Sequence, residues 1–139
     1  MILLRVNRTQ GLVIGFFLSV WLLIATIAVA APDVFADAMD LPLTNRTAHF
    51  LVLGALSAFL FVLSAGVVRR WHLMFWLVLV AFAAGILRIP ASALQLAGVL
   101  AATAPGWYLV LQGTLGVVQV VIAFAMFRGY RARGVWGAW

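Results

Sequence analysis

The chain contains no cysteine, no lysine and no glutamate, and only three acidic residues among 139. Without cysteine there are no disulfides, thiolate metal sites or thiol nucleophiles. Without lysine, Schiff-base and lysine general-base chemistry are excluded, and without glutamate so is a glutamate proton relay. Charge of either sign is scarce, at 9% of residues against 67% apolar, and the mean hydropathy is +1.20. Soluble domains carry roughly 25% charged residues, so this is the composition of a membrane protein.

What the chain has is long apolar runs, at about residues 11–30, 48–68, 71–88 and 106–127. Roughly 20 apolar residues cross ~30 Å of hydrocarbon as a helix, and lipid forces helices because every backbone polar group must be satisfied within the segment. The expected fold is one all-α membrane domain over 1–139, a bundle of four transmembrane helices with no room for a soluble domain. The first run ends Ala28-Val29-Ala30, which looks like a signal-peptidase site. Its apolar core exceeds the 7–15 residues of a signal peptide, so a retained helix is expected.

The few charges are segregated. Arg5, Arg8, Arg69, Arg70, Arg128, Arg131 and Arg133 fall on one side of the runs, and Asp33, Asp37 and Asp40 fall on the other with Arg46 and Arg88. By the positive-inside rule both termini are cytoplasmic, in a bacterial inner membrane. A pI near 11.7 raises the question of nucleic acid, but these arginines are split among short segments rather than gathered in one groove. Membrane lipids are the expected partners of the charge, and nucleic acid is not.

Pro32 suits the first turn of a short helix in the first external loop. The aspartates then share one helical face, by spacings of four and three. Three carboxylates are too few for calcium, which takes six to eight oxygens. The expected role is a structural ion pair between Arg88, at the external end of span three, and Asp33, Asp37 or Asp40, with Arg46 as the other cation on that side. Pro90 ends span three in this reading. The stretch from Ala91 to Ala104, too short to cross, becomes a short external interfacial helix between spans three and four.

Two histidines raise the question of haem. His49 starts span two on the external side and His72 starts span three on the internal side, about 30 Å apart at 1.5 Å per residue. They cannot share a metal within one chain, and no catalytic, cofactor or metal residue is assigned. The repeated triplets Asn7-Arg8-Thr9 and Asn45-Arg46-Thr47 are read as chance in a restricted alphabet.

Small and polar residues mark helix faces. Gly11, Gly15 and Ser19 have the small-xxx-small spacing that lets helices approach closely. Gly54, Ser57 and Ser64 mark span two. In span four Gln112, Gly116 and Gln119 share a face. Such stripes either form the bundle interior, with glutamines bonding across helices, or line a polar pocket or a docking surface for a partner. Trp71, Trp76, Trp107, Trp136 and Trp139 fit an aromatic belt, and the tail with Arg128, Arg131, Arg133, Trp136 and Trp139 suits a lipid interface.

Several ordered pieces resemble a family of small bacterial four-span membrane proteins known only as domain of unknown function 4345. They are Pro32 before a short acidic stretch, Asn45-Arg46 opening span two with Gly54 inside it, Gly85-x-x-Arg88 closing span three, and Gln112 near the start of span four. The likeness covers about 100 residues. The family tends to have Asp-Gly before span four and an acid within it, where this chain has Ala104-Pro105-Gly106 and Gln112. The resemblance implies a four-helix bundle and no activity.

The expected function is a non-catalytic accessory or assembly subunit of a larger, energy-transducing membrane complex, docked on a membrane-protein partner or a second copy. The alternative is a small carrier or binding protein for a lipophilic molecule or lipid, in a pocket beneath residues 91–104. An enzyme is not expected, because no titratable groups converge on one site. Ion transport is not expected either, because the spans hold no carboxylate.

Overall fold

The computed structural model describes residues 6–42 and 44–137; Arg5 and Trp139 lie outside them. Every regular element among the described residues is helical. In chain order they are α1 (Arg8–Ala30), α2 (Pro32–Met39), α3 (Arg46–Val68), α4 (His72–Ala83), a 3₁₀ turn (Ala84–Leu87), α5 (Arg88–Leu96) and α6 (Gly106–Arg133). Four helical stretches are long and apolar enough to cross a membrane: α1, α3, the continuous run His72–Leu96, and α6.

Local chemistry sets the ends. Asn7 and Gln10 form a capping box at the start of α1: the Gln10 amide N–H donates to Asn7 Oδ1 at 2.9 Å, and the Asn7 N–H donates to Gln10 Oε1 at 3.0 Å. Ala31 leaves the helical region as residues before proline tend to, and Pro32 opens α2. Asn45 caps α3 by accepting from the Ala48 N–H at 3.1 Å. The α3 end is a Schellman turn in which Trp71 N–H reaches Gly66 O at 3.1 Å, with Arg70 left-handed at φ 58°.

Span three differs from the sequence expectation. It does not end at Arg88, and no separate helix lies between Ala91 and Ala104: α5 runs on to Leu96, and residues 97–105 are non-helical. Pro90 cannot donate to the carbonyl of Ile86, and the 3₁₀ turn over residues 84–87 absorbs that loss. Pro90 thereby becomes the third residue of α5, within a first turn whose N–H groups lack helical partners anyway. The stop comes at Gly98, left-handed at φ 75°, where Gly98 N–H bonds Gln95 O at 3.1 Å and Val99 N–H bonds Leu94 O at 2.9 Å.

The long helices alternate in direction. α1 packs against α3 and α6, α6 against α4, the 3₁₀ turn and α5, and α3 against α4. The core gathers toward the arginine-rich end, around Val13, Phe17, Val67, Phe75, Val78, Phe82, Ile122 and Met126. Phe82 meets the ring edges of Phe16 and Phe17, with centroids 4.9 and 5.9 Å away. Toward the aspartate-bearing end the helices separate, and α2 lies across the opening with Phe35 and Ala36 buried.

That arginine-rich end is latched. Gln10 is 1% exposed, and its Nε2 donates to the Val67 carbonyl at 2.6 Å, joining α1 to α3. After α6 the chain reverses at Gly134, φ 82°, and Trp136 turns inward. Its indole is 0% exposed, stands edge-on to Phe75 at 5.2 Å, and donates to the Trp71 carbonyl at 3.1 Å. Asn7 Nδ2 donates to the Trp136 carbonyl. The expected lipid-interface role of Trp136 is therefore corrected. The reversal at Gly134 carries the ring into the hollow where α1, α3 and α4 meet, so burial and two hydrogen bonds hold it in place of lipid.

Candidate functional site

A closer approach of two backbones builds the site. Gly116 of α6 faces the 3₁₀ turn so tightly that an added Cβ would lie 2.8 Å from the Gly85 carbonyl oxygen and 3.2 Å from Arg88 Cβ. One turn further along α6, Gln119 lies over Gly85, where an added Cβ would meet its Oε1 at 2.6 Å. Two glycines thus let span three rest on α6, and the crossing sets Arg88 and Gln119 side by side.

Both side chains line a cavity of about 310 Å³ between α1, α2, span three and α6. Its walls are apolar: Val20, Leu23, Ile24 and Ile27 from α1, Phe35 and Met39 from α2, with Phe82 and Leu115. Its polar groups are Arg88, Tyr108, Gln112 and Gln119. A neighbouring hollow lined by Asp37, Gln95 and residues 101–104 shares Ala38, Tyr108 and Gln112 with it, toward the aspartate-bearing end.

Arg88 is the unusual member. It lies within the candidate span His72–Leu96, eight residues or about 12 Å along the helix from its end, and it is exposed in part to the cavity and the surface. An arginine at the centre of a span costs about 2.5–3.5 kcal/mol by insertion measurements, which marks such residues as functional by default. Among the described residues no ion pair joins it to Asp33, Asp37 or Asp40, which corrects the expected clasp. The continued helix carries Arg88 inward while the aspartates go elsewhere. Asp37 lines the outer hollow, Asp33 lines a separate one with Arg46 and His49, and Asp40 ends α2 in the left-handed region.

Neither glutamine bonds across helices as one expectation had it. Gln119 Oε1 is buried with no hydrogen-bond partner, a loss of about 1–3 kcal/mol, and the residue lines the cavity. The lining therefore offers a guanidinium and an amide within apolar walls. Trp21, by contrast, is satisfied: its Nε1 donates to Ser57 Oγ at 2.7 Å, which itself donates to the Leu53 carbonyl, joining α1 to α3.

The remaining sequence candidates divide. Gly116 is buried in the span crossing, whereas Gly11, Gly15 and Ser19 lie on an exposed face of α1. An added Cβ at Gly11 or Gly15 meets nothing within 4 Å, and Ser19 bonds only its own helix at the Gly15 carbonyl. Arg128, Arg131 and Arg133 are exposed at the end of α6, and the last two suit its negative pole. Among the described residues no group of three or more metal-binding side chains converges. His49 Nε2 is buried without a partner, its ring edge-on to Phe35 at 5.7 Å.

Sequence reasoning missed the depth of Arg88 and the Gln10 latch. Both had signals: an apolar run continuing through Pro90 to Gly98, and the spacing Asn7-x-x-Gln10. Compared with protein families, curated proteins and solved structures, the chain matches none.

Proposed function

We propose that this multi-pass membrane protein is a non-catalytic binding protein for a lipophilic molecule, held in the Arg88 cavity. One observation carries the reading: a charged side chain within an apolar helix of spanning length lines an apolar cavity of small-molecule size without an acidic partner. Ligand sites are typically apolar clefts of about 300–1,000 Å³ with a few converging polar groups, and this cavity fits at the lower end. A structural arginine would instead be paired or at the interface.

The spans are read as a four-helix bundle in a bacterial inner membrane with both termini cytoplasmic, supported by the arginines at the latched end. The likeness to domain of unknown function 4345 stays a proposal, and it adds architecture without activity. Native mass spectrometry after extraction in mild detergent tests the binding role. About one single-chain lipophile per chain is expected, and it is lost in Ile24→Trp, which fills the cavity. Only bulk phospholipid, equal in both proteins, would remove the reading.

A second reading, an accessory subunit docked in a larger complex, is favoured by the exposed Gly11, Gly15 and Ser19 face of α1, which none of the described residues covers. It predicts a heavier assembly at native expression. Migration always at the mass of one or two copies would dismiss it.

A further inference from the structure

We infer that the cavity takes a long-chain monocarboxylate, a fatty acid seated with its carboxylate on Arg88 and its chain along α1. The inference rests on the cavity being a ligand site and names the chemistry of the ligand.

Charge decides the head group. The lining holds one cation, Arg88, and no anion. A neutral lipophile would leave the guanidinium unmatched. A phosphate monoester, carrying about −1.5 to −2 at neutral pH, would bring more negative charge than one arginine balances. A carboxylate matches the single charge, and its two oxygens fit the planar guanidinium fork.

Shape decides the tail. The lining runs from Phe16 to Ile27 on α1 and from Tyr108 to Gln119 on α6, each 12 residues and about 17 Å long. A volume of about 310 Å³ suits one hydrocarbon chain better than the two of a phospholipid. Arg88, beside Gly116, and Gln119 lie toward the end of the α6 lining away from Tyr108, and the neighbouring hollow that shares Tyr108 and Gln112 lies at the other. The acid is thus held head first, with its chain passing Val20, Leu23 and Ile27 toward Tyr108.

The test uses the full chain in nanodiscs of zwitterionic lipid, at a pH that keeps the acid ionised. Equilibrium binding of radiolabelled palmitate, hexadecanol and hexadecyl phosphate is compared. Palmitate is expected to bind at least about tenfold more tightly than either. In Arg88→Gln the acid should lose that preference, and Arg88→Lys, which keeps charge without the fork, should retain part of it. Equal affinities for acid and alcohol, or a preference for the phosphate, would overturn the carboxylate inference while leaving the cavity a ligand site. Saturable binding of none of the three would overturn both. If Arg88→Gln fails to fold, the three-ligand comparison on the unaltered chain still decides.

Discussion

Gly116 and Gly85 meet backbone to backbone, and a Cβ on Gly116 would stand 2.8 Å from the Gly85 carbonyl oxygen. That contact brings Arg88 and Gln119 to one wall of the cavity. A carbonyl cannot swing aside as a flexible side chain can, so Gly116→Ala must part the two spans. Overpacking of this kind costs about 1–3 kcal/mol, read as a lower unfolding midpoint in detergent. Gly11→Ala is the control: its Cβ meets nothing, and higher helix propensity should leave stability equal or raised by up to about 1 kcal/mol.

Arg88 should cost the fold rather than support it. An unpaired cation inside a span is expensive, so Arg88→Leu is expected to keep or raise the unfolding midpoint while ligand binding falls. A large loss of stability would show that Arg88 has a structural partner instead.

Trp136 closes the opposite end of the molecule. Its ring is fully buried and bonded to the Trp71 carbonyl, so Trp136→Ala should destabilise by about 3 kcal/mol, the lower range for emptying a large aromatic site. Trp107→Ala, on a half-exposed ring, should change little. Comparable effects of the two would return Trp136 to the lipid interface.

Orientation is checked by reporters active only outside the cytoplasm. If the arginines of the latched end follow the positive-inside rule, a fusion after Ala104 is expected to be active and one after Trp139 silent. The opposite pattern would invert the molecule.

Span number and helical class were legible because hydrophobic length is a local property that lipid makes decisive. The end of span three was not. Pro90 reads as a stop only if the helix reaches it in α geometry, and four 3₁₀ residues, settled by contact with Gly116, changed its position within the turn. The Arg88 clasp failed with that boundary, since its partners were inferred from a depth the residue does not have. Gln112 and Gln119 were legible as a polar face, but whether a face bonds, packs or lines a cavity depends on the opposing helix. Trp136 was misplaced for a related reason: amphipathic rings near a span end suit lipid equally well until a turn such as Gly134 carries one inward.

The central claim is that a lipophile is held in the Arg88 cavity and not on the outer surface, and photo-crosslinking tests it most directly. A diazirine-bearing fatty acid, activated on the full chain in nanodiscs, should label residues 20–27 of α1 and 108–115 of α6, with excess unlabelled palmitate removing the signal. Labelling confined to exposed rings of α3, such as Phe50 and Phe61, and indifferent to competitor would contradict it.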